Sequence, residues 1–166
     1  LAWQGTWPQA AEVVAAALAD PACDRGTVSG NALSWIGVVR LRVGDTAGPL
    51  EMCRAAAVGI GDAPLNAVLL ARTCLLPEEP AQELTGLAAE LLATIAPGDL
   101  GQEHHRAWLD LVRGMLALRT GDLSAAHARL TRIAATGPSD TRQTTALALA
   151  GEAAGRLGRS EEARRL

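Results

Sequence analysis

Glycine recurs along this chain at a near-constant interval, each time where an apolar helical run stops, and that spacing limits the fold more than any other feature. From Gly5 to Gly44 is 39 residues, from Gly44 to Gly121 is 77, which fits two periods, and from Gly121 to Gly158 is 37. A fixed period of roughly 20 to 50 residues marks a repeat architecture, in which each unit buries its apolar face against the next. The clearest copy runs from Gly114 to Ala126. Before its turn, Trp108, Leu111, Met115 and Leu118 form one stripe at helical spacing. Leu109, Val112 and Leu116 lie beside it, leaving Asp110, Arg113 and Arg119 as polar positions, so this helix is expected to be buried on most sides. After Gly121, Asp122 is placed to cap a second helix. Its Leu123, Ala126, Leu130 and Ile133 face inward, its Ser124, His127, Thr131 and Arg132 face water, and Gly137 and Pro138 stop it.

The same alternation of Gly and Ala returns as Gly151, Gly158 and Ala163, earlier as Gly37 and Gly44, and first as Gly5 and Ala10. The missing middle turn falls near Pro77-Glu78-Glu79-Pro80. The amphipathic segment after it places Leu84, Leu87, Ala88, Leu91, Leu92 and Ile95 on one side. Thr6 with Gln9 and Asp140 with Gln143 have capping-box spacing, and Ser160 precedes Glu161 and Glu162 at a further helix start. No segment alternates like a strand. The pattern predicts an all-α chain of about nine or ten helices in antiparallel pairs, with small residues letting the pairs approach closely.

These residues resemble the tetratricopeptide repeat, a family with units of roughly 34 residues. Gly114 and Gly151 match its first small position, Gly121 and Gly158 its turn, Ala126 and Ala163 the alanine of its second helix, and Pro138 its terminal proline. The second unit keeps Gly37 and Gly44 but has Pro49 where alanine is usual, and the third unit retains little of the pattern. The resemblance implies a degenerate α-solenoid, a right-handed superhelix of stacked helix pairs, forming a single helical-repeat domain over residues 1–166. A narrower likeness lies in Gly5-Thr6-Trp7-Pro8-Gln9-Ala10, Leu41-Arg42-Val43-Gly44-Asp45 and Leu118-Arg119-Thr120-Gly121-Asp122. This is similar to the repeat region of large actinobacterial LuxR-type ATP-binding transcriptional regulators. There a nucleotide-binding module precedes the repeats and a helix-turn-helix follows, which implies that the chain is a piece of a longer multidomain protein.

Composition narrows the chemistry. All 15 basic residues are Arg, and Lys, Tyr and Phe are absent, so a Walker phosphate loop, a Schiff base and a catalytic tyrosine are impossible within this segment. An Arg-only, Ala-rich alphabet also matches coding bias in a GC-rich bacterial genome. A net charge of -3 supplies no field for a polyanion, so the segment is not expected to bind nucleic acid. No uncharged apolar run is long enough for a membrane span. Cys23, Cys53 and Cys74 are an odd, widely spaced set without Cys-x-x-Cys, as expected of reduced, buried thiols in a cytoplasmic protein.

No constellation points to catalysis, a cofactor or a metal. Adjacent helical positions such as His104 and His105 project about 100 degrees apart and do not converge on one ion. His127 reads as solvated, and Cys74 as an apolar-run thiol with a raised pKa. Glu78-Glu79 and Glu161-Glu162 read as first-turn carboxylates. Gly59-Ile60-Gly61 has Pro64 where a dinucleotide loop needs its third glycine. Trp35 and Trp108 read as packing residues, and Trp7 as part of a repeat junction.

Arg42, Arg119 and Arg156 each stand two residues before a turn glycine, at one repeat position that the resemblance places along a concave groove. Guanidiniums there can clamp carboxylates of a peptide or anionic ligand. The same spacing also suits plain helix termination, with arginine favouring the C-terminal dipole and glycine supplying the cap. The expected function is a non-catalytic interaction or ligand-sensing module of a bacterial transcription or signalling regulator. Its partners would be a protein or peptide, flanking domains of its own chain, a small-molecule effector or a second copy of itself. A stand-alone interaction scaffold is the alternative, and an all-helical enzyme domain with a nonlocal site the third.

Overall fold

In a computed structural model the described residues are 6–20, 36–40, 42–44, 48–59, 63–136 and 141–166. Among them all regular structure is helical, as the periodicity predicts. The chain divides into two compact units, Leu1–Leu91 and Leu92–Leu166.

The first unit contains α1 (Trp7–Ala19), helical backbone over residues 36–40, α2 (Gly48–Gly59), α3 (Pro64–Cys74) and most of α4 (Gln82–Ala93). Pro8 and Pro64 sit in the first turns of α1 and α3, where the missing N–H has no intrahelical partner to lose. α2 packs on α3 and brings Met52, Cys53 and Ala56 inward, while Val68, Leu70, Ala71 and Cys74 of α3 are fully buried. Gly37 is a close-approach position. Its nearest neighbour is Thr73 of α3, whose Cγ2 would lie 2.9 Å from an added Cβ, ahead of Met52 of α2 at 3.8 Å.

In the second unit a 3-10 turn at Pro97–Asp99 leads to α5 (Glu103–Arg119), α6 (Leu123–Ala134), α7 (Thr141–Arg156) and α8 (Ser160–Arg165). Each helix packs on the next, and α5 also meets α7. Leu109, Leu111, Val112, Met115 and Leu118 of α5 are buried against Ala126, Leu130 and Ile133 of α6, with Ala146, Ala150, Ala153 and Ala154 of α7 completing the core. The predicted α5 stripe is thus the buried one, although Trp108 and Leu116 are half-buried. Gly114 sits where the α5–α6 pair closes: an added Cβ would lie 2.8 Å from Leu130 Cδ2. Asp110 pins the same pair by accepting from Arg129 at 2.7 Å, and Arg113 donates to the Ile95 carbonyl at 2.9 Å.

Three of the regularly spaced glycines have the left-handed backbone of a helix cap. Gly44, Gly121 and Gly158, with φ of 80, 86 and 78 degrees, are the positive-φ residues among those described. Gly121 follows Thr120, the C-cap of α5, and Asp122 then caps α6 by accepting from the Ala125 amide at 3.1 Å. An L-side chain at Gly121 meets no neighbour but must hold the left-handed conformation. Gly121→Ala is therefore expected to cost about 1–2 kcal/mol, and Gly121→Asn less, as read by denaturant unfolding of the full chain.

Several boundary expectations are corrected. Glu78 and Glu79 lie in an exposed bend, and α4 starts only at Gln82 with Glu83 in its first turn. Pro80 explains the delay, since the residue before proline is driven out of the helical region. Thr6 is the N-cap of α1 but makes no side-chain cap bond. Ser160 is already inside α8, whose N-cap is Arg159, while Glu161 and Glu162 do occupy its first turn. Gln143 donates to the carbonyls of Ala134 and Thr136, tying α7 back to the end of α6. Gly5, Cys23, Trp35, Gly61, Pro138 and Asp140 lie outside the described residues.

Candidate functional site

Of the three repeat-position arginines, two converge. Arg119, the last residue of α5, donates from Nη1 to Glu152 Oε1 at 2.9 Å, with its side chain only 7% exposed. Arg156, the last residue of α7, holds Nη1 3.6 Å from the same oxygen and donates to the Leu118 carbonyl at 3.4 Å. It thereby satisfies a carbonyl in the last turn of α5, one of the groups a helix end leaves unpaired. Glu152 stands four residues before Arg156 on one face of α7, a spacing that makes neighbours of the two side chains. One carboxylate thus serves two guanidiniums, and the cluster keeps a surplus positive charge. Arg119 Nε is buried without a hydrogen-bond partner, whereas 47% of the Arg156 side chain faces water. Arg42 belongs to the first unit, exposed, with its guanidinium carbon 5.7 Å from the centre of the Trp7 ring, a cation–π distance.

The histidines divide. His104 and His105 stand at the start of α5 with ring centroids 4.2 Å apart. The backbone carbonyl of His104 accepts from Arg142 at 3.2 Å. His127, read from the sequence as solvated, is buried, and this is a correction. Ser124 and Arg132 of the predicted wet face are exposed, but at His127 α8 brings Glu162 Oε1 to 3.2 Å from Nε2, within ion-pair range but without hydrogen-bond alignment. Arg159 holds Glu162 from its other oxygen at 3.6 Å. Thr131 on the same helix is half-buried, with its hydroxyl lacking a hydrogen-bond partner. Among the described residues no group of three or more His, Cys, Asp and Glu is placed to hold a metal ion.

Cys53 and Cys74 are free and fully buried, one on α2 and the other closing α3. A hydrogen bond with the Cys53 thiol, and then burial, push the Cys74 thiol well above the ordinary cysteine range. Unfolded Cys74 loses its proton above about pH 8.5 while the folded residue keeps it, so the folded state binds more protons in that window. Stability from this group is complete below about pH 8.5 and falls as pH rises beyond it, by at most about 1.4 kcal/mol per pH unit. Urea unfolding across that range should show this loss for the native chain, and the Cys74→Ala variant should lack that contribution.

Sequence reasoning missed Glu152, and read Glu162 as a first-turn carboxylate but not as the neighbour of His127. The i to i+4 relation of Glu152 and Arg156 was a readable signal, but the reach of Glu152 to Arg119 across 33 positions was not. No helix among the described residues is long and apolar enough to cross a membrane. Comparisons with protein-family models, with curated proteins and with solved structures found no match to this chain.

Proposed function

We propose that the chain is a non-catalytic interaction or ligand-sensing module, a tetratricopeptide-like solenoid segment of a cytoplasmic bacterial regulator of transcription or signalling. The observation that carries this reading is one hairpin design used twice in succession. Gly114 meets Leu130 before left-handed Gly121, and 37 residues later Gly151 lies against the Ala163 carbonyl, more loosely at 3.6 Å, before left-handed Gly158. Hairpins that each contact only their neighbours transmit a shift in one interface to the next. A protein, peptide or small-molecule effector would act by favouring one packing over another, and it must bind the two packings with different affinity to switch anything. Arg156 and Arg42, the more open of the three arginines, are the candidate contacts for an acidic group of such a partner. Self-association is a further expectation of this reading, and nucleic-acid binding is not.

Sequencing the parent reading frame on both sides of Leu1 and Leu166 tests the assignment. A phosphate loop upstream with a helix-turn-helix downstream is the expected result. A frame with neither makes the chain a stand-alone scaffold, and reproducible turnover by the purified chain overturns the non-catalytic reading altogether.

A further inference from the structure

The two compact units carry opposite net charge. Leu1–Leu91 holds ten Asp and Glu against five Arg, and Leu92–Leu166 holds eight against ten, so the first unit is net -5 and the second net +2. Part of the positive surplus is gathered on one face of the α5–α6 hairpin. Asp110 of α5 has Arg106 four residues before it and Arg113 three residues after it, spacings that put all three on one side of the helix. From α6, Arg129 holds one Asp110 oxygen at 2.7 Å and Arg132 stands 3.5 Å from the other. Glu103, one turn before Arg106, adds a second carboxylate, so four guanidiniums face two carboxylates. Arg129 and Arg113 are engaged, the latter with the Ile95 carbonyl. Arg106 is exposed, and 63% of the Arg132 side chain faces water.

The first unit presents the opposite charge in an equally accessible form. Glu78 and Glu79 stand in the exposed bend between Pro77 and Pro80, and Glu83 is exposed in the first turn of α4. Among the described residues, none of the three pairs with an arginine. A proline on each side restricts the backbone of the bend, so docking it costs little further conformational freedom.

We propose that the α5–α6 arginine face takes the Glu78–Glu79 bend of a second copy of this chain, a heterologous contact between unlike surfaces. Arg106 and Arg132, the two open arginines, receive the carboxylates as charge-assisted hydrogen bonds. Like charge keeps bend from bend and face from face, so the pairing is of bend with face. A single surface ion pair contributes little, and this contact therefore depends on several charges meeting at once and weakens as salt screens them. The pairing rests on the interaction-module reading, whose expected self-association it assigns to two named surfaces.

Sedimentation velocity of the full chain over a concentration series, at about 0.05 M and about 0.5 M salt, tests the pairing. Wild-type chain should self-associate at the lower salt, with an apparent Kd about tenfold weaker at the higher. Glu78→Arg with Glu79→Arg, and separately Arg106→Glu with Arg132→Glu, should each weaken self-association about tenfold or more, because each sets like charge against like. An equimolar mixture of these two double variants should associate as tightly as wild type, since each bend then meets a face of opposite charge. Circular dichroism reports whether both variants stay folded, and Arg132→Gln, a milder change at an exposed position, should still weaken association about threefold. A wild-type chain that stays monomeric at low salt, association that ignores both charge reversals, loss with the arginine reversal but not the glutamate one, or a mixture that stays dissociated each overturns the pairing. None of these outcomes decides the interaction-module reading, which the parent reading frame tests separately.

Discussion

Gly114→Val is expected to destabilise the chain by about 3 kcal/mol, the upper part of the range for overpacking a well-filled interface. The added Cβ would sit 2.8 Å from Leu130 Cδ2 and 3.0 Å from Leu130 Cγ, closer than carbon atoms approach. Leu130 is fully buried, so it cannot swing outward to make room. Either α5 and α6 separate, which exposes the Leu118 and Ala126 faces, or Leu130 takes a poor rotamer. For a unit of this size the loss corresponds to a fall in Tm of roughly 10–20 °C. Helix propensity works in the opposite direction and recovers only a few tenths of a kcal/mol, because valine is a modest helix former.

Two companion variants decide whether the clash is the cause. Gly155 lies in α7 with no atom near an added Cβ, so Gly155→Ala should stabilise the chain by about 0.5–1 kcal/mol through propensity alone. Leu130→Ala alone should cost about 2–5 kcal/mol through lost burial and a cavity. Combining Gly114→Val with Leu130→Ala lets the new side chain enter that cavity. The double variant should then be more stable than the sum of the single losses predicts, by about 1 kcal/mol or more. Strict additivity would show that Gly114 is not a contact position.

That hairpin was legible because its determinants are local. The left-handed Gly121, the Asp122 cap and the buried Ala126 and Leu130 all follow from patterns within one turn of their own positions. The start of α4 is misplaced by the sequence pattern even though its marker is local: Pro80 keeps Glu79 out of the helix, yet Glu78 and Glu79 read as first-turn residues. What could not be read depends on which distant helix arrives. His127 has the period of a wet face, yet it is buried, with Glu162 of α8, 35 residues onward, 3.2 Å from its ring. Gly37 announces a close approach but not that Thr73 is its first neighbour. Cys74 lies in an apolar run of the sequence and Cys53 between Met52 and Arg54, and only the packing of α2 on α3 brings both into one interior.

The arginine positions show the same division and yield the second large effect. Glu152→Met is expected to cost about 2–3 kcal/mol, and Arg119→Met less than about 1 kcal/mol, although the two residues form one ion pair. The Arg119 side chain is only 7% exposed, so removing Glu152 leaves a buried guanidinium with no carboxylate, and its Nε is already without a hydrogen-bond partner. Removing Arg119 leaves Glu152 30% exposed to water and still 3.6 Å from Arg156, so no isolated charge is stranded. Methionine fills much of the arginine's stem volume and keeps the packing against α7. The double variant Arg119→Met with Glu152→Met should recover most of the Glu152→Met loss, because it removes the stranded charge along with its partner. Urea unfolding with unchanged m values gives the three numbers directly. Equal single losses would mean that solvent, not Glu152, balances Arg119. The predicted inequality would mean that an acidic partner reaches Arg119 only by displacing Glu152, and that Arg156 is the arginine of this cluster free to receive one.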